Sequence, residues 1–90
     1  MAYLITCTDK KNSLDLRLST REEHIKYLME IKDMLVLAGP MLDKNNKPCG
    51  TVLVLGYEDL NEVKSFLEND PYNKVRLFQK IEITRFKKVL

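Results

Sequence analysis

The residues that could carry chemistry in this chain are few. There is one histidine, His24, among 90 residues. An imidazole is suited to moving protons near neutral pH, and a carboxylate within reach would fix its tautomer and steady its cation. Asp70, standing before Pro71 and Tyr72, is a carboxylate of interest, although an aspartate before proline also caps turns. Arg21 and Tyr72 have the side chains to hold an anionic or aromatic ligand. Ser19 reads first as a helix N-cap, because no base precedes it in a nucleophile motif. Gly39, followed by Pro40, is expected to shape the backbone beside a pocket. Cys7 and Cys49 lack metal-ligand spacing, and one histidine without Cys-x-x-Cys predicts no metal site. No glycine-rich phosphate loop is present, so nucleotide chemistry is not expected.

Composition narrows the partners. With 44% hydrophobic and 31% charged residues, and only 3 Gly and 3 Pro, residues 1–90 read as a single globular domain rather than a disordered chain. A net charge of +2 is too small to demand a polyanion, and the predicted central strands lack stacking aromatics, so no nucleic acid is expected. No apolar run approaches the ~20 residues of a membrane span. The apolar start is short and has no basic leader. A cytoplasmic protein with reduced thiols follows.

The elements that must position these residues can be read from periodicity. Ala2 to Thr8 is a strand with Tyr3, Ile5 and Cys7 on one face. Leu14, Leu16 and Leu18 alternate with Asp15 and Arg17, which predicts an extended stretch. A helix is expected from Ser19 or Thr20, since Ser19/Glu22 and Thr20/Glu23 both fit a capping box. Its buried stripe would be Ile25, Leu28, Ile31 and Leu35, with His24 in the first turn. Val36 to Leu42 is a second strand, placed at an edge by Pro40, and residues 43–48 form a hairpin connection. Thr51 to Tyr57 is apolar on both sides and therefore central. Asp59 and Glu62 open a second helix with Leu60, Val63 and Leu67 on its stripe and Phe66 beside it. It ends before Asn69-Asp70-Pro71. Lys80 to Phe86 is a charged edge strand.

Strand, helix, strand, strand, helix, strand is the order of a ferredoxin-like βαββαβ sandwich of the α+β class. The first and third strands are then central, and both helices cover one face. The other face stays bare although the third strand is apolar on that side too. A second copy packed sheet to sheet, a homodimer, resolves this. Strand and helix directions also bring His24, Gly39-Pro40 and Asp70-Pro71-Tyr72 to one end of the molecule, together with Cys7 and Cys49.

The segments Arg17-Leu-Ser-Thr-Arg-Glu-Glu-His24, Leu37-Ala-Gly-Pro-Met41, Asn69-Asp-Pro-Tyr72 and Phe86-Lys-Lys88, in this order, resemble the YciI-like (YCII) family. The resemblance spans nearly the whole chain. It implies a small dimeric ferredoxin-like α+β barrel related to muconolactone isomerases, with a His–Asp pair as active site. Carried over, that pair is His24 and Asp70, with Ser19 and Arg21 nearby. The implied function is cofactor-free acid–base chemistry of isomerase, lyase or dehalogenase type on a small organic molecule. The competing reading is a non-catalytic module for small-ligand binding or dimerisation.

Overall fold

A computed structural model describes residues 1–90. Four strands, β1 (Ala2–Asp9), β2 (Leu35–Leu42), β3 (Pro48–Leu55) and β4 (Phe78–Phe86), form one sheet in the order β2-β3-β1-β4. Every neighbouring pair is antiparallel. The helices α1 (Leu14–Glu30), α2 (Leu60–Asn69) and the short α3 (Pro71–Lys74) complete the expected ferredoxin-like α+β arrangement. Pro40 lies in β2 and the charged Lys80 and Glu82 lie in β4, so both edge strands carry the residues that discourage further pairing.

Strand alternation builds the core. Tyr3, Ile5 and Cys7 of β1 and Leu53 and Leu55 of β3 are buried together with Leu28 of α1 and Val63, Phe66 and Leu67 of α2. Each Leu, Ile, Val or Phe among them, fully buried, contributes roughly 1.5–3 kcal/mol. Tyr72, Leu77 and Phe78 close the end of this core. At Gly50 the strands approach so closely that a Cβ would collide with Met41 and with the Cys7 carbonyl, so this position has room only for glycine.

Several boundaries differ from the sequence reading, and one difference matters for function. Residues 14–18 are not extended: they form the first turn and a half of α1. The alternating leucines are a poor guide because Leu16 and Leu18 are exposed, while the residue buried at this level is the charged Arg17. Ser13, not Ser19 or Thr20, precedes the helix. The hydroxyls of Ser19 and Thr20 both donate to the Leu16 carbonyl, at 3.1 and 2.9 Å, which is the back-bond of mid-helix hydroxyls and not a cap. His24 therefore sits in the middle of α1. Ile25 is exposed, and Leu35 opens β2 instead of ending the helical stripe. β3 begins at Pro48 and ends at Leu55, leaving Tyr57 beyond it. The short α3 has no counterpart in the periodicity. It arises from Asp70 as N-cap with Pro71 at the first helical position. After it, Arg76 takes a φ of 59° and turns the chain back, so that the Leu77 amide donates to the Tyr72 carbonyl at 3.0 Å.

Candidate active site

The face of α1 turned toward the body of the protein is polar. Its buried residues are Arg17, Thr20, His24 and Leu28, at steps of three, four and four. That spacing is what an apolar stripe would have, yet only Leu28 is apolar. The polar residues are buried because each meets a partner supplied by another element.

His24, 6% exposed, places Nδ1 3.0 Å from Oδ1 of Asp70, which is completely buried. The same Oδ1 accepts the Tyr72 backbone N–H at 2.9 Å. Asp70 thus caps α3 and faces His24 at once, and its rotation is restrained by both contacts. Its Oδ2 is buried without a hydrogen-bond partner. The Tyr72 ring stacks on the imidazole, with centroids 4.0 Å apart and planes at 23°. The ring also carries the Arg17 guanidinium over it, 4.6 Å from its centroid, and meets Phe78 edge-on at 6.0 Å.

Arg17 is held from three sides. Its Nε and one terminal nitrogen donate to the two carboxylate oxygens of Asp9 at 2.6 and 2.9 Å, and that terminal nitrogen also donates to Thr51 Oγ1 at 2.7 Å. The Arg17 and Asp9 side chains are each 5% exposed. Burial disfavours the charged guanidinium, but the Asp9 hydrogen bonds and charge outweigh it and keep Arg17 above its ordinary value. Burial likewise raises the Tyr72 phenol, against the opposing pull of Arg17 and Arg21. Tyr72 is therefore a neutral donor at physiological pH.

These groups open onto a cleft of about 300 Å³. Arg17, Arg21, His24, Thr51 and Tyr72 supply its polar wall. Leu18, Ile25, Leu28, Ala38, Pro40 and Pro48 make it largely apolar elsewhere, and Gly39 completes the β2 side. Of the residues singled out in the sequence, the structure brings His24, Asp70, Tyr72, Arg21, Gly39 and Pro40 together here. It does not bring Ser19, which is exposed and bonded to its own helix. Gly39 has no positive φ, and a Cβ there would meet open space, so the backbone does not require glycine at this point as the sequence suggested. No group of three or more His, Cys, Asp or Glu side chains is arranged to hold a metal ion.

Sequence reasoning missed Arg17 and Thr51 as parts of this wall and Asp9 as the partner that holds Arg17. A signal existed in the helical spacing: Arg17 lies seven residues before His24, hence on the same face. It was masked by the alternating leucines. Cys7 and Cys49 are both free thiols. Cys7 lies opposite Thr51 in the β1–β3 register, and burial, reinforced by the Asp70 charge, pushes its thiol up to about 12.

A model of the YCII-related domain matches residues 1–87. The chain belongs to the YCII family. Over 99% of its length it is 32% identical to the protein YciI of Escherichia coli, of which it covers 99%. Among solved structures it is similar to the 5-chloro-2-hydroxyhydroquinone dehydrochlorinase TftG of Burkholderia phenoliruptrix, determined in complex with 2,5-dihydroxybenzoquinone. The identity is 33%, the TM-score 0.90, and the match covers 97% of this chain and 94% of the other. Protein Atu4242 of Agrobacterium tumefaciens, at 18% identity, TM-score 0.60 and 99% and 94% coverage, shares the fold alone. The YCII-family chain thus has a dehydrochlorinase as a structural neighbour and a buried His–Asp pair of its own.

Proposed function

We propose that this YCII-family protein is an enzyme that moves a proton on a small organic molecule by acid–base chemistry, without a cofactor. The observation that carries the reading is the His24 Nδ1 to Asp70 Oδ1 contact of 3.0 Å on the wall of an open cleft. An ionised Asp70 accepts the Nδ1 proton, which leaves Nε2 as the nitrogen free to act as base. Nε2 takes a proton from carbon or oxygen of the ligand. The electron pair left behind either migrates and is reprotonated elsewhere by His24, an isomerisation, or forms a double bond as a leaving group departs with its own pair, an elimination. Asp70 faces the imidazolium formed in either case. The 33% identity to a dehydrochlorinase supports the elimination branch.

A homodimer belongs to the same proposal. The sheet face away from the helices carries Leu4, Val52, Val54 and Met41, and Leu37 is half exposed beside them. A stable interface there would bury roughly 1,200–2,000 Å² in total, and light scattering should report twice the 10.5 kDa chain mass. The two free thiols fit a cytoplasmic setting, and no helix is long and apolar enough to cross a membrane.

The test is turnover in a screen of hydroxylated and halogenated small substrates. His24→Gln should lower kcat by about 10²–10⁴-fold with the fold retained, and Asp70→Asn should also lower it by leaving the tautomer unfixed. Undiminished turnover in His24→Gln would overturn the assignment.

A further inference from the structure

Arg17 and Arg21 stand one turn apart on α1 and both line the cleft, yet their charges are in opposite circumstances. Arg17 is buried and occupied by Asp9 and Thr51. Arg21 is exposed at the cleft wall and joins no ion pair. The carboxylates beside the cleft are already engaged, Asp9 by Arg17 and Asp70 by His24. Arg21 is thus the one cation of the lining without a counter-charge. Near it lies the Tyr72 phenol, a neutral donor whose charge state feels Arg21 directly. The remaining lining is short and apolar, from Leu18, Ile25, Leu28, Ala38, Pro40 and Pro48. A cavity of about 300 Å³ is at the small end for ligand sites.

We propose that the cleft selects a small, flat organic anion, its ionised oxygen held by Arg21 and the Tyr72 hydroxyl and its carbon frame lying against Leu28, Ala38 and Pro40. A guanidinium with free donors and a phenol O–H together suit a carboxylate, enolate or acidic phenolate oxygen. Arg17 is not the anchor of this anion, because its charge is already met by the Asp9 carboxylate through Nε and one terminal nitrogen. The orientation places the opposite end of the ligand at His24 and so rests on the acid–base reading for its reacting end. Recognition of the anion rests on Arg21 and Tyr72 and not on His24.

The test is a titration followed by amide shifts of the cleft residues, with 2,5-dihydroxybenzoquinone as the anionic probe and resorcinol as a neutral flat ring. The wild-type protein should bind the anion more tightly, and added salt should weaken that binding. Arg21→Gln should weaken the anion about tenfold or more and change resorcinol less than twofold. Arg21→Lys should recover part of the loss. The unfolding midpoint of Arg21→Gln should stay at the wild-type value, because the side chain is exposed and unpaired. Failure of the wild type to bind the anion at millimolar concentration, or equal weakening of both probes in Arg21→Gln, would overturn the proposal. Anion binding that depends on Arg21 in a protein without turnover would leave this inference standing and remove the catalytic one. Turnover lost in His24→Gln but indifferent to Arg21→Gln would do the reverse.

Discussion

The two long helices bury the same kind of stripe by opposite means. α2 buries Val63, Phe66 and Leu67, and its N-cap Asp59 accepts the Asn61 amide at 2.8 Å. Nothing on that face needs a specific partner beyond shape. α1 buries Arg17, Thr20 and His24 with Leu28, and each of the two ionisable side chains is held by a carboxylate from elsewhere in the chain, Asp9 and Asp70. Removing apolar surface from water stabilises α2 wherever it meets the sheet. The polar face of α1 is stable only in one alignment, because a buried ion without its partner costs several kcal/mol. One helix anchors the fold, and the other holds a cleft wall in fixed geometry.

The largest effect expected from this contrast is at Arg17. Arg17→Met should destabilise the protein by about 3–5 kcal/mol, since the Asp9 carboxylate stays buried without its partner. The double variant Arg17→Met, Asp9→Leu should regain most of that loss. Urea unfolding of the wild type, Arg17→Met, Asp9→Leu and the double variant forms the cycle. A single-variant loss under about 1 kcal/mol would mean that the polar face of α1 is not structural.

Leu67→Ala probes the other helix. Leu67 is 4% exposed within the apolar core, and its truncation should cost about 2–5 kcal/mol. Ligand binding in the cleft should be unchanged at temperatures where the variant is folded. A shift in cleft amides comparable to that from Arg17→Met would erase the division between the two helices.

A smaller effect should appear at alkaline pH. The Cys7 thiol, ordinarily near 9, is pushed up to about 12, chiefly by burial. Between these values the unfolded chain releases a proton that the folded chain keeps. Stability should therefore fall as pH rises above about 9, by about 1.4 kcal/mol per pH unit from this group. Tyr27, raised to about 12 by burial and by the Asp70 charge, adds to the decline above about 10. Urea midpoints between pH 8 and 11 measure the slope, and Cys7→Ala should flatten it. An unchanged slope in that variant would place the alkaline sensitivity elsewhere.

Legibility in the sequence followed the same division. The βαββαβ order, the edge position of Pro40, the Asp59 start of α2 and Val63 and Leu67 of its stripe were readable, because each depends on local backbone chemistry or on a single apolar period; Leu60, expected on that stripe, is exposed in the first turn. The start of α1 was not. Leu14, Leu16 and Leu18 have the alternation of a strand, and the residue that anchors that turn, Arg17, is the type least expected inside. The gathering of His24, Gly39-Pro40 and Asp70-Pro71-Tyr72 at one end followed from topology. The participation of Asp9 and Thr51 did not, since no local pattern marks a side chain whose partner is 8 or 34 residues away.

By itself, then, the sequence determined the order of the strands and the two long helices (though not the start of α1 or the short α3), which strands lie at the edges, and which end of the sheet holds the single histidine. These follow from periodicity, proline, capping and the handedness of crossovers, all of which act over a few residues or over whole elements. Only the tertiary structure decided which of two arginines one turn apart is buried against Asp9 and which stays free at the cleft. It also decided that one oxygen of Asp70 serves both the Tyr72 amide and His24. The reason is physical: a charge can enter the interior only where a partner arrives from a distant part of the chain, and that meeting exists only once the sheet and helices have packed.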